Sequence, residues 1–488
     1  MQAVTTNWKN ISVKPITLIC IISMIQLVVA FFTDPIAITF DESMWQYIGR
    51  NWIRNGMVPY QGGVDNKSPL IFLIFGISER IFGINYWFPR LLGVAVQSLG
   101  IYYLYKIAEK TINQQAGIVA ISFYGLSLIW HSSGGKYVSY TETYALTSII
   151  LAVYFSIVGD SNKNAFIGGL FAGLGLGFRL TAIFGILPLL LFTFKRNSKS
   201  GLVFLAGALS GTGILLVFAG IAGIQMTDLV FFGVVDNFGS GSATAHPLTW
   251  KVQRFADGFF YSEIILFYPA VIGYFILVRK LDFLKAWLGC EFLGICLLGM
   301  FDRSHFKNLL PAFSLMSAFV VNYLIAHHQL PPKILLLGIW IAFFPKTFEP
   351  LYAIKKLLNS GNSQINPDAN RADEEHVDLK KTIGLWIRSH TAPGEKVYVA
   401  GYGAEIQLYS ERVSPSIYFN VTQTSYAIKK LFQDLVSDKP AMVVLPLSQK
   451  YTQAVNADLR GFIDSLTVRY YKLDTCMYNY KIFRLGRR

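Results

Sequence analysis

Phe40-Asp41-Glu42 sets two carboxylates directly after the first apolar run of the chain, near residues 16–33. At such a boundary an acidic pair is costly unless solvated or paired. Two readings stand: a solvated pair that caps a helix, or a pair kept to take a proton or hold a cation. Glu142 adds a third carboxylate in a later polar interval, next to Thr141. Cations recur at the ends of apolar runs as Lys67, Arg90, Arg179 and Arg303, with His305 beside the last. An unpaired guanidinium next to an apolar span is expensive, which favours working roles for Arg90 and Arg179. Lys67 has a plainer alternative, extending its ammonium to the interface, and His305 another, as an ordinary helix-end residue. Carboxylate bases beside cations suit proton abstraction near a developing negative charge.

The elements that must hold these residues are membrane helices. Of 488 residues, 53% are apolar and 15% charged, where a soluble chain carries about a quarter charged. Apolar runs lie near 16–33, 69–84, 86–108, 115–133, 142–159, 164–178, 180–194, 201–223, 262–278, 286–300, 309–326 and 333–349. They have the length of hydrocarbon-embedded helices and carry the Gly and Pro that such helices tolerate. A net charge of +14 would point to nucleic acid in a soluble protein. Here it reads as basic cytoplasmic loops, and no nucleic-acid partner is expected. Cys20, Cys290 and Cys296 lie in apolar runs and read as small buried hydrophobes; Cys476 lies in a polar region. The run at 16–33 is long and lacks a small-residue cleavage site, so it reads as a retained first helix.

Charge and parity set the topology. Basic clusters occur at Lys9 with Lys14, Lys106 with Lys110, Lys195-Arg196 with Lys199, and Arg279-Lys280 with Lys285. All of them fall inside if the run at 69–84 does not cross. That run begins at Pro69 and is interrupted by Ser78, Glu79 and Arg80. It reads as a helix on or dipping into the outer interface. About eleven crossings remain, with the N-terminus inside and the C-terminus outside. The outer face then receives residues 34–87, 134–141, the junction at Arg179, 224–261, 301–308 and everything after about 350.

Two domains are expected: a membrane domain over 1–350, with 34–87 as its first outer loop, and an extracytoplasmic α/β domain over 351–488. In the second, residues 373–390 have a helical pattern, and Lys396 to Ala400 and Ala441 to Leu445 read as strands. A polar linker, Asn359 to Asn370, precedes them. In the first outer loop, Met44, Trp45, Ile48, Trp52 and Ile53 share one helical face, the pattern of an amphipathic helix on a membrane surface.

The order of motifs resembles the GT-C glycosyltransferases, above all the protein O-mannosyltransferase and lipid A aminoarabinose transferase branch. The resemblance rests on Asp41-Glu42 after the first helix, Gly56-Met57-Val58-Pro59-Tyr60, Lys67-Ser68-Pro69-Leu70 and Phe88-Pro89-Arg90. It continues through Thr141-Glu142, the Gly173 to Leu180 step that contains Arg179, and Arg303 to Pro311. Ser68 stands where that family usually has Pro.

The resemblance implies a polytopic helical enzyme, bacterial and of the inner membrane, that works on the extracytoplasmic face. Its donor would be a polyprenyl-phosphate sugar and its acceptor a hydroxyl of a glycan, lipid or protein. It assigns Asp41 as general base, and Glu42 or Glu142 to orient the acceptor or hold a divalent cation. The lipid phosphate would fall to Lys67, Arg90, Arg179, Arg303 and His305. Two other classes remain: a flippase for lipid-linked sugars, and an O-antigen ligase or polymerase. A flippase should show pseudo-symmetric halves and mid-bilayer charges. A ligase should concentrate its signals in a late outer loop. Here they concentrate after the first helix.

Overall fold

The computed structural model describes residues 14–32, 38–130, 138–236, 248–259, 282–299, 301, 303–328, 338, 377–419, 425–447 and 457–486. The run expected near 262–278, the run near 333–349 apart from residue 338, and the linker Asn359 to Asn370 lie outside the described residues. The chain forms two compact units. The first comprises Met1–Asp34, Arg90–Phe218 and His246–Leu358; the second comprises Pro35–Pro89, Ala219–Ala245 and Asn359–Arg488.

The first unit is helical. It contains α1 (Pro15–Phe32). The second unit follows with α2 (Phe40–Asn55) and α3 (Pro69–Phe82). After α3, helices α4 (Trp87–Thr111), α5 (Gln114–Trp130), α6 (Thr141–Val153), α7 (Asn162–Gly175), α8 (Ile183–Arg196) and α9 (Ser198–Ile221) run in chain order. Trp87–Thr111, Thr141–Val158, Ser198–Ile221 and Ser304–Ile325 are long and apolar enough to cross a membrane. Other described apolar helices are shorter. The surface is inverted relative to a soluble protein, with Leu202, Leu209, Ile214, Val217 and Ile221 of α9 all exposed. Such a face needs hydrocarbon rather than water. Cys20 and Cys296 are likewise exposed, where the sequence reading expected burial; Cys476 is exposed too. Cys20 and Cys296 take outward positions on apolar helices, and Cys476 lies in the C-terminal sheet.

Glycine sets the closest packing in this unit. A Cβ on Gly169 would meet Phe204 O at 2.0 Å, and one on Gly173 would meet Ala208 O at 2.2 Å. Gly207 and Gly211 make the reciprocal approach to Phe166 O and Leu170 O. The partner numbers rise together, so α7 and α9 run parallel with their backbones in contact. This is the small-residue packing by which membrane helices associate.

Later in the chain come α10 (Met226–Val230) and α11 (248–259), then α12 (Asp282–Leu298), a 3-10 segment Arg303–Leu309 and α13 (Leu310–His328).

The second unit joins the first loop, α10 and the C-terminal segment. That segment contains α14 (Val377–Ser389), β1 (Val397–Val399), α15 (Ala404–Ser410), α16 (Ser425–Ser437), β2 (Met442–Pro446), α17 (Ala457–Tyr470), β3 (Tyr471–Met477) and β4 (Tyr480–Leu485). The sheet order is β1-β2-β4-β3, with β1 parallel to β2 and the remaining pairs antiparallel. Val397, Val399, Met442, Val444 and Ile482 form its core with Ile383, Ile387 and Ile406.

Residues Glu42 to Asn51 of α2 are all buried. Gly49 and Gly76 bring α2 and α3 into backbone contact, since a Cβ on Gly49 would lie 2.4 Å from Phe72 O. On its other side α2 meets the C-terminal segment. Ser414 N donates to the Tyr47 hydroxyl at 2.8 Å, and Arg50 Nη1 donates to Leu408 O at 2.8 Å. The apolar face expected to rest on a membrane surface is therefore covered by protein. Trp45 of that face meets Phe75 of α3 edge-on, while the partners of Tyr47 and Arg50 lie some three hundred and sixty positions away, beyond the reach of a periodicity argument.

Candidate active site

In the first unit, a helix break creates a buried charge cluster. The glycine-rich stretch ending α7 gives way to a turn, and Arg179 takes an extended conformation before the 3-10 turn Leu180–Ala182 opens α8. Phe178 stacks on Tyr144 of α6 at 4.9 Å, which ties the turn to that helix. Arg179 pairs with Glu142 in the first turn of α6. Lys307 donates through Nζ to Thr143 Oγ1 at 2.7 Å. Asn308 Nδ2 donates to Glu291 Oε2 at 3.2 Å. Arg179, Thr181, Phe184, Glu291, His305 and Asn308 line one small cleft.

Glu142, Arg179, Glu291 and Lys307 are 4, 8, 3 and 6% exposed, so two cations and two carboxylates share a dry environment. Isolated, any of them would cost several kcal/mol. Gathered, they balance. The carboxylate of Glu142 is committed to Arg179, which makes it a holder of cations rather than an available base.

Glu142, Arg179 and His305 were expected from the sequence, and the structure brings them into this cluster. Lys307 and Glu291 were not, although both left a signal. Lys307 lies two residues after His305 in the same motif, and Glu291 is a carboxylate inside the apolar run 286–300, where charge is expensive. Arg90 is buried at the start of α4 and donates to Ala30 O at 2.9 Å, so it meets the end of α1. Arg303 opens the 3-10 segment, and its side chain lies outside the described residues.

Asp41, Glu42 and Lys67 belong to the second unit. Thr39 and Glu42 form a reciprocal capping box: Glu42 N donates to Thr39 Oγ1 at 3.2 Å and Thr39 N donates to Glu42 Oε2 at 2.9 Å. This is the cap reading of the acidic pair, and it applies to Glu42. Asp41 is half-buried in the same first turn, at the positive end of the helix dipole.

The loop that follows is tied back to this helix. Trp45 Nε1 donates to Asp65 Oδ2 at 2.7 Å, and Lys67 Nζ donates to Asn66 Oδ1 at 2.6 Å. Tyr60 takes a positive φ of 72°, which tyrosine adopts only under constraint. Its hydroxyl donates to Lys67 O at 2.8 Å and its ring stacks on Phe232. Burial, with Asp65 and Asp228 nearby, pushes that hydroxyl's pKa up, so it stays a donor. Among the described residues no three of His, Cys, Asp and Glu converge as a bound metal would need.

Residues 66–222 match the sequence model of the dolichyl-phosphate-mannose-protein mannosyltransferase family. A search of curated proteins by sequence found no significant match. In three dimensions the chain is similar to ArnT from Cupriavidus metallidurans bound to undecaprenyl phosphate, with a TM-score of 0.61 at 12% identity over 97% of this chain and 98% of that one. It is also similar to the apo state of the same protein, with a TM-score of 0.62. The oligosaccharyltransferase of Archaeoglobus fulgidus, in complex with Zn and sulfate, gives 0.57 at 13% identity over 95% of this chain and 72% of that one.

The chain has the GT-C glycosyltransferase fold. The GT-C likeness runs almost from end to end, so it includes both compact units. Lys67, Arg90, Glu142 and Arg179 all fall inside the stretch matched by the family model.

Proposed function

We propose that this protein is a membrane glycosyltransferase that moves a sugar from a polyprenyl-phosphate carrier to an acceptor hydroxyl. The observation that carries this reading is the near full-length likeness to a protein captured with undecaprenyl phosphate. The family match over the most motif-rich part of the chain supports it independently.

In this mechanism the acceptor oxygen attacks the anomeric carbon with inversion, while Asp41 takes its proton. The bond from that carbon to the phosphate oxygen breaks, and the phosphate leaves on its lipid. Cations must stabilise the charge it develops. Arg179 and Lys307 serve here, held by Glu142, together with Lys67, Arg90, Arg303 and His305. Glu42 fixes the helix that carries the base.

The reaction takes place on the outer face of a bacterial inner membrane, with about eleven crossings. The burial of α3 against α2, in one unit with the C-terminal segment, supports leaving α3 out of that count.

Asp41→Asn tests the assignment. A positioned carboxylate base contributes about 10²–10⁴ in rate, so the variant should lose transfer by that factor and still bind undecaprenyl phosphate. Unimpaired transfer would remove Asp41 from the mechanism.

A further inference from the structure

The C-terminal segment reaches the first turn of α2 through one exposed aromatic side chain. Tyr402 lies in the turn after β1, and its ring meets the ring of Phe40 edge-on, with centroids 5.2 Å apart at 69°. Phe40 is the first residue of α2 and immediately precedes Asp41.

The turn that presents Tyr402 is rigid by construction. Gly401 has φ of +70°, a conformation that side chains disfavour. A Cβ on Gly403 would meet Val399 at 2.1 Å. Lys380 donates through Nζ to Tyr402 O at 3.1 Å and pairs with Glu405 at 3.3 Å, with both charged groups buried. A buried ion pair thus fixes the backbone of a residue whose side chain is 39% exposed. The other ties to α2, at Tyr47 and Arg50, lie two and three turns further along the helix. They secure its middle, and the Phe40 contact is the described tie at its catalytic end.

Resting on the role of Asp41 given above, we propose that Tyr402 is a positioning residue: by bracing Phe40 it fixes the helix turn that carries the base. This gives the C-terminal segment a part in the reaction as well as in folding. A displacement of about 1 Å at a reacting group can cost on the order of 10²-fold in rate, so a partial loosening should be readable.

The test uses the full chain in nanodiscs. The donor probe is the undecaprenyl-phosphate sugar pool extracted from source membranes, with washed source membranes as acceptor. Released undecaprenyl phosphate is measured by mass spectrometry. Tyr402→Ala should lower kcat about tenfold and leave donor KM within about twofold. Tyr402→Phe should retain wild-type turnover, because the contact is made by the ring. Phe40→Ala should lose as much as Tyr402→Ala, and the double variant no more than either, as for two members of one interaction.

Wild-type turnover in Tyr402→Ala, or losses that multiply in the double variant, would overturn the bracing role. So would a fall in turnover accompanied by lost affinity for undecaprenyl phosphate, which marks general structural damage. Asp41→Asn, run alongside, separates the two claims. If that variant is dead and Tyr402→Ala is normal, only the brace fails; if it is fully active, the assignment of the base fails first.

Discussion

Arg50 and Glu79 are buried together in the second unit, and Arg50 also donates to Leu408 O at 2.8 Å. Burial pushes the Glu79 carboxyl up in pKa, opposed mainly by Arg50. Arg50→Met removes that opposition and should cost about 3–5 kcal/mol, the usual price of orphaning a buried charge. The sign of the pH dependence follows. With its pKa above the unfolded value, the folded chain binds more protons than the unfolded one. That contribution is complete below the unfolded pKa and is lost as pH rises through the folded one. Melting of Arg50→Met in detergent should therefore fall more steeply than wild type as pH rises above the ordinary carboxylate range.

Arg179 offers a separate check at this scale. Charge-assisted hydrogen bonds contribute about 1.5–3 kcal/mol, so Arg179→Ala should weaken undecaprenyl phosphate binding by at least about tenfold. Unchanged affinity would make the arginine a structural partner of Glu142.

Among the elements, the glycine contacts of α7 and α9 make the sharpest forecast. Gly173→Val would drive a branched side chain into the backbone of α9, and overpacking of this kind costs about 1–3 kcal/mol. A lower melting temperature and a poorer monodisperse fraction after extraction are expected. A valine at Gly213, where a Cβ meets nothing within 4 Å, should be tolerated.

Legibility also divides by element. The break at Arg179 was visible because three glycines precede an arginine between two apolar runs. The strands Val397–Val399 and Met442–Pro446 fall within a residue of the stretches read from the sequence. The hairpin of β3 and β4 left little trace, since β3 is largely exposed and its apolar alternation is weak. The burial of α2 left none, because half of its cover comes from the far end of the chain. Among site residues, the sequence pointed to Arg179, Glu142 and His305, whose charges stand at the ends of apolar runs. Glu291 escaped because it sits within one.

For the whole molecule, the native cysteines report on topology without any mutation. Cys20 is exposed on an apolar helix, and Cys476 is exposed in the C-terminal sheet. With that sheet outside the cell, a membrane-impermeant maleimide added to intact spheroplasts should label Cys476 and spare Cys20. Labelling of Cys476 only after lysis would invert the proposed orientation.

The cover over α2 has a consequence for biosynthesis. Arg50 leaves the ribosome long before Leu408 and Ser414, the residues that close over its helix. At about 5–20 residues per second, a nascent chain waits on the order of 20–70 s with that helix half-wrapped. Any stall or truncation ahead of Val397 strands it there, a ready target for quality-control proteases.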